Sequence, residues 1–259
     1  MEKRLEDKVI IIAGGANGVG RAAAETFAKE GAKVVIGDID DSQSHKILKI
    51  IQTIGGEALF IKTQLKNLDD CRKLFKEAYN KYGKIDGLFY YAGITNVSPL
   101  DNCDEKLFDE IMSINFKSSF FCCQEAIKYM RMNGGGSIVL TGSAHAWGGQ
   151  KDRAAYACSK GALLTLMQHI SQNYASEKIR CNYLTLGWTP TEGEIKLRKE
   201  LGENETELRK RAASILPMGR MCERTDYLNG LVYLMSDGSS MMTGSTLRIT
   251  AGEYIGDFK

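Results

Sequence analysis

Residues 8–13, Lys-Val-Ile-Ile-Ile-Ala, run without a break into Gly14-Gly15-Ala16-Asn17-Gly18-Val19-Gly20, and the pattern from 21 to 29 turns helical. A short apolar, β-branched run of this kind reads as a strand buried on both faces. Strand, Gly-rich turn and helix in that order form a phosphate cradle. Glycines let the backbone approach phosphate oxygens, and the helix N-terminus favours their negative charge.

The same alternation continues along the chain. Residues 33–38 read as a second strand ending in Asp38, and 40–54 as a helix stopped by Gly55-Gly56. Strands are expected at 57–63, 85–91, 137–141, 178–185 and 246–250. Helices are expected at 67–82, at 104–132 as one continuous rod, at 154–175 and at 224–236. Strands alternating with helices imply an α/β fold: one doubly wound, seven-stranded parallel sheet covered on both faces. No repeat, low-complexity tract or linker interrupts it, so a single domain over 1–259 is expected.

Composition narrows the function classes. The chain has 259 residues, 43% hydrophobic, and a net charge of +2. That charge gives no electrostatic reason to expect nucleic acid or an anionic membrane as partner. No apolar run approaches the roughly 20 residues of a membrane span, and the charged N-terminus lacks the apolar core of a signal peptide. The seven cysteines form no C-x-x-C pair and read as reduced, mostly buried thiols of a cytoplasmic protein. His45, His145 and His169 fall on separate elements, so no metal site is expected.

Chemistry gathers at 143–160. Tyr156 and Lys160 are four residues apart and share one helix face. An ammonium beside a phenol favours the phenolate, which turns a tyrosine into a usable acid or base. Ser143, at a strand end thirteen residues upstream, is placed to hold the oxygen whose proton Tyr156 moves. Asp38 follows Gly20 by eighteen residues, about the distance at which a Rossmann unit sets its ribose-binding carboxylate. Its other reading is a helix cap or turn residue.

Taken together, Gly14-x-x-x-Gly18-x-Gly20, Ala92-Gly93, Asn115, Ser143, Tyr156-x-x-x-Lys160 and residues 182–191 resemble the short-chain dehydrogenase/reductase family over nearly the whole chain. The resemblance implies a Rossmann-like fold, a catalytic tetrad of Asn115, Ser143, Tyr156 and Lys160, and commonly a homotetramer. It also implies a nicotinamide cofactor. Gly14, Asn17, Gly18, Val19 and Gly20 would meet its phosphates, and Asp38, Ile39, Gln64 and Leu65 its adenosine. Ala92, Gly93, Gly187, Thr189 and Thr191, with Tyr156 and Lys160, would meet the rest. Asn115 would hold a water that passes protons from Lys160 to solvent. Five positions depart from the family pattern: Ala13 stands for Thr, Tyr90-Tyr91 for an Asn pair, Gln64 for Asp, and Leu186 for Pro.

Asp38 without a nearby cation points to NAD rather than NADP. The loops expected to face the substrate offer Ile94, Thr95, His145, Trp147, Arg153 and Trp188. Aromatic planes with hydrogen-bonding groups suit a sugar, a polyol or another small hydroxylated ring. His145 and Trp147 have loop packing as their other reading, and hydroxysteroids or 3-oxoacyl groups are the alternative substrates. The charged segment 192–211 reads as an amphipathic helix, either plain covering or a lid spanning about 188–215. A dinucleotide-sensing regulator without turnover is the rival function, but it has no need of Tyr156 and Lys160.

Overall fold

The computed structural model describes residues 3–253, so the ends of the expected domain, 1–2 and 254–259, lie outside the described residues. Seven strands form one sheet in the order β3-β2-β1-β4-β5-β6-β7. They are β1 (Val9–Ala13), β2 (Lys33–Asp38), β3 (Glu57–Lys62), β4 (Gly87–Tyr90), β5 (Gly136–Ser143), β6 (Ile179–Leu186) and β7 (Thr246–Ile249). Every pairing is parallel.

Side chains of β1 alternate between two cores, as a pleated strand requires. Val9, Ile11 and Ala13 pack with α3 (Leu68–Tyr82), α5 (Ser118–Met132) and α6 (Ala154–Asn173) on one face. Ile10 and Ile12 pack on the other face with α1 (Gly18–Lys29), α2 (Asp41–Thr53) and α9 (Leu228–Met235). This is the doubly wound arrangement expected from the sequence. Strand order reverses between β1 and β4, and ligands bind at such a switch point, beyond the carboxyl ends of the strands.

Three helices differ from their sequence reading; the one expected over 224–236 opens with a tight turn, Arg224–Tyr227, before α9. The rod expected over 104–132 is α4 (Glu105–Met112) and α5 separated by one wide turn, Ser113–Lys117. Hydroxyl groups intercept the carbonyls there. Ser118 Oγ donates to Ser113 O at 2.9 Å and Ile114 O at 2.8 Å, and the Tyr90 hydroxyl reaches Ile114 O at 2.6 Å. Hydrogen bonds of this kind widen a helical turn. The stretch 192–211 is likewise two helices, α7 (Glu192–Glu200) and α8 (Glu205–Ile215). Gly202, at φ +84°, ends the first turn sequence, and Asn204 with Glu207 forms a capping box that starts the second. Strand β5 also runs two residues beyond its expected end, because Ser143 still pairs with Leu186.

Candidate active site

The Gly-rich turn follows β1 closely. Gly14 has φ +89°, and a Cβ on Gly20 would stand 2.1 Å from Gly14 O, so only glycine lets helix α1 start this near the strand. Asp38 secures the turn from β2. Its Oδ2 accepts from Ala16 N at 2.9 Å and its Oδ1 from Asp40 N at 3.0 Å. The cap of α2 is Asp40, which accepts from Gln43 N at 3.0 Å. Each Asp38 oxygen therefore keeps an acceptor site to spare. Ile39 is exposed at the end of β2, and the Gln64 backbone N–H donates to Asp70 Oδ2.

Amides at the start of α1 are met by the protein's own side chains. Gly18 N donates to Glu192 Oε2 at 3.2 Å, and the Glu192 Oε1 atom lies 2.9 Å from Arg224 Nη1. The Tyr91 phenol stands beside Gly18 and Val19, and burial raises its pKa against a downward pull from the Val19 backbone. The second tyrosine of the Tyr90-Tyr91 departure thus fills the space beside Gly18, where a Cβ would meet its hydroxyl at 2.4 Å.

Ser143, Tyr156 and Lys160 converge where β5 and α6 meet. The Tyr156 phenol faces Ser143, whose side chain pulls its pKa down. Lys160 Nζ donates to Thr141 O at 2.9 Å and lies 5.6 Å from the Tyr156 ring centre. Tyr183 of β6 locks this geometry. Its hydroxyl accepts from Ser143 N at 3.2 Å and donates to Lys160 O at 3.0 Å.

The electrostatics differ from the sequence expectation. Burial pushes the Tyr156 phenol up to about 12, against downward pulls from Ser143 and then Arg153. Burial also holds Lys160 down at about 8. The ammonium is directed at a carbonyl and is itself disfavoured, so in the protein alone it does not bring Tyr156 towards neutrality.

Asn115 sits on the wide turn, fully buried, with its amide committed. Oδ1 accepts from Ile94 N at 2.9 Å, and Nδ2 donates to Ile94 O and to Ser159 Oγ, both at 3.0 Å. It fixes the strand-end loop after β4 and stands behind Gly93, whose Cβ would come within 3.3 Å of Oδ1.

One cavity of about 450 Å³ joins these parts. Asn17, Gly18, Val19 and Gly93 line it, as do Ser143, His145, Tyr156 and Lys160. Gly187, Trp188, Thr189 and Thr191 complete the opposite wall with residues of α7 and α8. Gly14, Gly20, Asp38, Ile39, Gln64, Leu65, Ala92 and Asn115 support it from outside or lie beyond it. Trp147 does not line it, contrary to the expectation for a substrate residue. The short helical turn at Ala144–Ala146 directs its ring edge-on to Tyr183, with the Arg248 guanidinium stacked 4.2 Å from the ring centre. Trp188 does line the cavity, but its ring is held between Arg198 and Arg211, and its Nε1 donates to Glu194 at 2.8 Å.

Sequence reasoning singled out neither Tyr183 nor the contact of Glu192 with the turn. Tyr183 reads as one more inward residue of a strand, and Glu192 lies 174 positions from Gly18. Among the described residues no group of three His, Cys, Asp or Glu side chains is placed to hold a metal, and no helix is long and apolar enough to cross a membrane.

A Gly-rich turn at the switch point of a parallel sheet, opening onto a tyrosine–serine–lysine cluster, is the arrangement of a Rossmann-type oxidoreductase. Residues 14–253 match the family described as Enoyl-(Acyl carrier protein) reductase. The chain is 32% identical over 247 residues to an uncharacterised oxidoreductase of Thermotoga maritima, covering 95% of this chain and 97% of that one. It is 30% identical over 256 residues to L-rhamnose 1-dehydrogenase (NAD(P)(+)) of Azotobacter vinelandii, covering 97% and 98%. The solved structure of a 7α-hydroxysteroid dehydrogenase, complexed with NADH and 7-oxo glycochenodeoxycholic acid, superposes with a TM-score of 0.90 at 28% identity, covering 98% and 96%. The chain belongs to the short-chain dehydrogenase/reductase family.

Proposed function

We propose that this protein is an NAD-dependent dehydrogenase/reductase that interconverts a secondary alcohol and a ketone on a small, hydroxylated substrate. The observation that carries this reading is the Tyr156 phenol, which lines one cavity with Ser143, Lys160 and the α1 N-terminus. The cradle fits a dinucleotide: it has free space only for glycine at position 20 and spare acceptor sites on Asp38 for ribose hydroxyls. Bound cofactor supplies the hydride chemistry. Tyr156 moves the proton of the substrate hydroxyl, Ser143 holds the same oxygen, and Lys160 supplies positive charge on the Thr141 side.

Asp38 supports NAD over NADP, because a 2′-phosphate would meet a carboxylate with no cation beside it in the turn or in Ile39-Asp40-Asp41. The polar lining, with Thr95, His145, Gln150 and Arg153 among it, supports a hydroxylated rather than a wholly apolar substrate. Relatives that include a sugar dehydrogenase and hydroxysteroid dehydrogenases are compatible with that reading and with its hydroxysteroid alternative.

Helices α7 and α8 form the cover of this site. Leu208 and Ala212 are fully buried and fix α8, whereas α7 has no fully buried residue and is the part that opens. Exposed Phe108 on α4, Phe120 on α5 and Tyr233 on α9 support assembly into a homotetramer through those helices. The seven free cysteines fit a cytoplasmic protein.

The test is a screen of polyols, sugars, hydroxy acids and hydroxysteroids, following formation of reduced nicotinamide with each cofactor. Tyr156→Phe should abolish turnover and leave the calorimetric cofactor affinity nearly unchanged. Turnover by the variant at the wild-type rate would end this assignment.

A further inference from the structure

The geometry points to Arg153 as the anchor for a carboxylate, so that the substrate is a hydroxylated carboxylic acid. This inference rests on the dehydrogenase reading and narrows its substrate class.

Arg153 stands just before α6, three residues from Tyr156, and lines the cavity. Its side chain is only 5% exposed. Its backbone is held on both sides, by a bridge to Ser98 and by donation from Arg153 N to Gln150 O at 3.1 Å. The guanidinium, by contrast, is poorly partnered. Nη1 is buried without a hydrogen bond. Asp152 Oδ2 lies 3.3 Å from it, close enough for an ion pair but outside hydrogen-bonding geometry, and the Asp152 side chain is 45% exposed. A buried cation with an unused donor is costly unless an anion completes it. The planar fork of an arginine fits a carboxylate in particular.

The surroundings have the same polarity. Burial, and then the charge of Arg153, holds the His145 pKa down to about 4, so the ring is neutral at physiological pH. His145 Nδ1 accepts from Gln150 N at 3.4 Å, which leaves the proton on Nε2 as a donor. The His145 ring meets the Tyr156 ring edge-on, with centres 5.6 Å apart. The acidic residues of the cavity are already engaged. Glu194 accepts from Arg198 at 2.7 Å and from Trp188, Glu253 accepts from Trp188 N at 3.3 Å, and Glu192 is held by Gly18 and Arg224. The phosphates of a dinucleotide belong at the α1 N-terminus, so Arg153 is left for the substrate.

The experiment compares racemic hydroxycarboxylates of about three to six carbons with their methyl esters, in wild type, Arg153→Met and Arg153→Lys. Wild type should favour the acids by at least about tenfold in kcat/KM, mainly through KM. In Arg153→Met the acid-to-ester ratio should fall to near one, and Arg153→Lys should restore part of it. Calorimetry of butanoate against butanamide, with protein alone, reads the same site without turnover. Wild type should bind butanoate in preference, and Arg153→Met should not. Neutral alcohols or esters turned over in preference to acids would overturn the anchor and leave the dehydrogenase reading intact. If no alcohol of either kind is oxidised, the dehydrogenase reading fails. Butanoate binding then decides Arg153 by itself: equal binding of butanoate and butanamide overturns the anchor. An acid preference that survives in Arg153→Met also overturns it, and because wild type alone gives the first comparison, misfolding of a variant does not obscure the result.

Discussion

Replacing Glu192 by alanine should tighten NAD binding. Glu192 Oε2 occupies the Gly18 amide at the start of α1, where a pyrophosphate belongs, so cofactor and carboxylate compete for one donor. The size of the competition follows from the contacts. A hydrogen bond to a charged group contributes about 1.5–3 kcal/mol when well shielded, but the Glu192 side chain is 49% exposed, which brings it to the low end. Its ion pair with Arg224 adds about 0–1 kcal/mol at such a surface. Some of both is regained when Glu192 swings into water, leaving about 1 kcal/mol, or roughly a fivefold lower Kd. Titration calorimetry with NAD measures the change, and adenosine, which lacks phosphates, is the control. Arg224→Met keeps the carboxylate while removing its tether, so a double-mutant cycle separates the two contacts. Unchanged NAD affinity, or an equal gain for adenosine, would refute the competition.

Three further outcomes are expected. Lys160 has a folded-state pKa of about 8 against an ordinary 10.5, because it is buried. The unfolded chain therefore binds more protons between those values, and stability rises with pH through that window, by up to about 3 kcal/mol. Thermal unfolding of wild type and Lys160→Met from pH 7.5 to 10.5 tests it: the upward slope should disappear in the variant, and parallel slopes would contradict it. For cofactor choice, wild type should favour NAD by at least about tenfold in kcat/KM, roughly 1.4 kcal/mol, and an Asp38→Ala, Ile39→Arg variant should move towards NADP. A wild type that prefers NADP would show the Asp38 argument wrong. Tyr90→Phe removes a buried hydroxyl bonded to Ile114 O and Ser118 Oγ and should cost about 1 kcal/mol. Calorimetric melting should record a fall of about 2–4 °C, and an unchanged Tm would mean that Ser118 alone sustains the wide turn.

The sheet was legible because β-branched runs and helical periodicity alternate with little ambiguity from residue 8 onwards. Boundaries moved where side chains compete with the backbone. The hydroxyls of Tyr90 and Ser118 open the helix at residues 113–117, and apolar spacing carries no trace of that. The cluster of Ser143, Tyr156 and Lys160 was legible from spacing, since strand and helix phase together bring it to one cavity. Its proton affinities were not. They depend on burial, which pushes Tyr156 up and Lys160 down, and burial at a strand–helix junction follows from packing across the whole sheet. The place of Trp147 was not legible, because an aromatic in that loop has two neighbours to choose from, and its ring packs on Tyr183 and Arg248.

Tyr183 joins the Ser143 and Lys160 backbones into one mechanical unit. One phenol ties the Ser143 amide to the Lys160 carbonyl from a third element, β6, and the ring lies so close that a Cβ on Gly142 would come within 1.9 Å of it. Neither hydrogen bond involves α7 or α8. Changes to the cover therefore leave this tie between β5, β6 and α6 in place. Substitutions in α7 and α8 are therefore the ones expected to spare it.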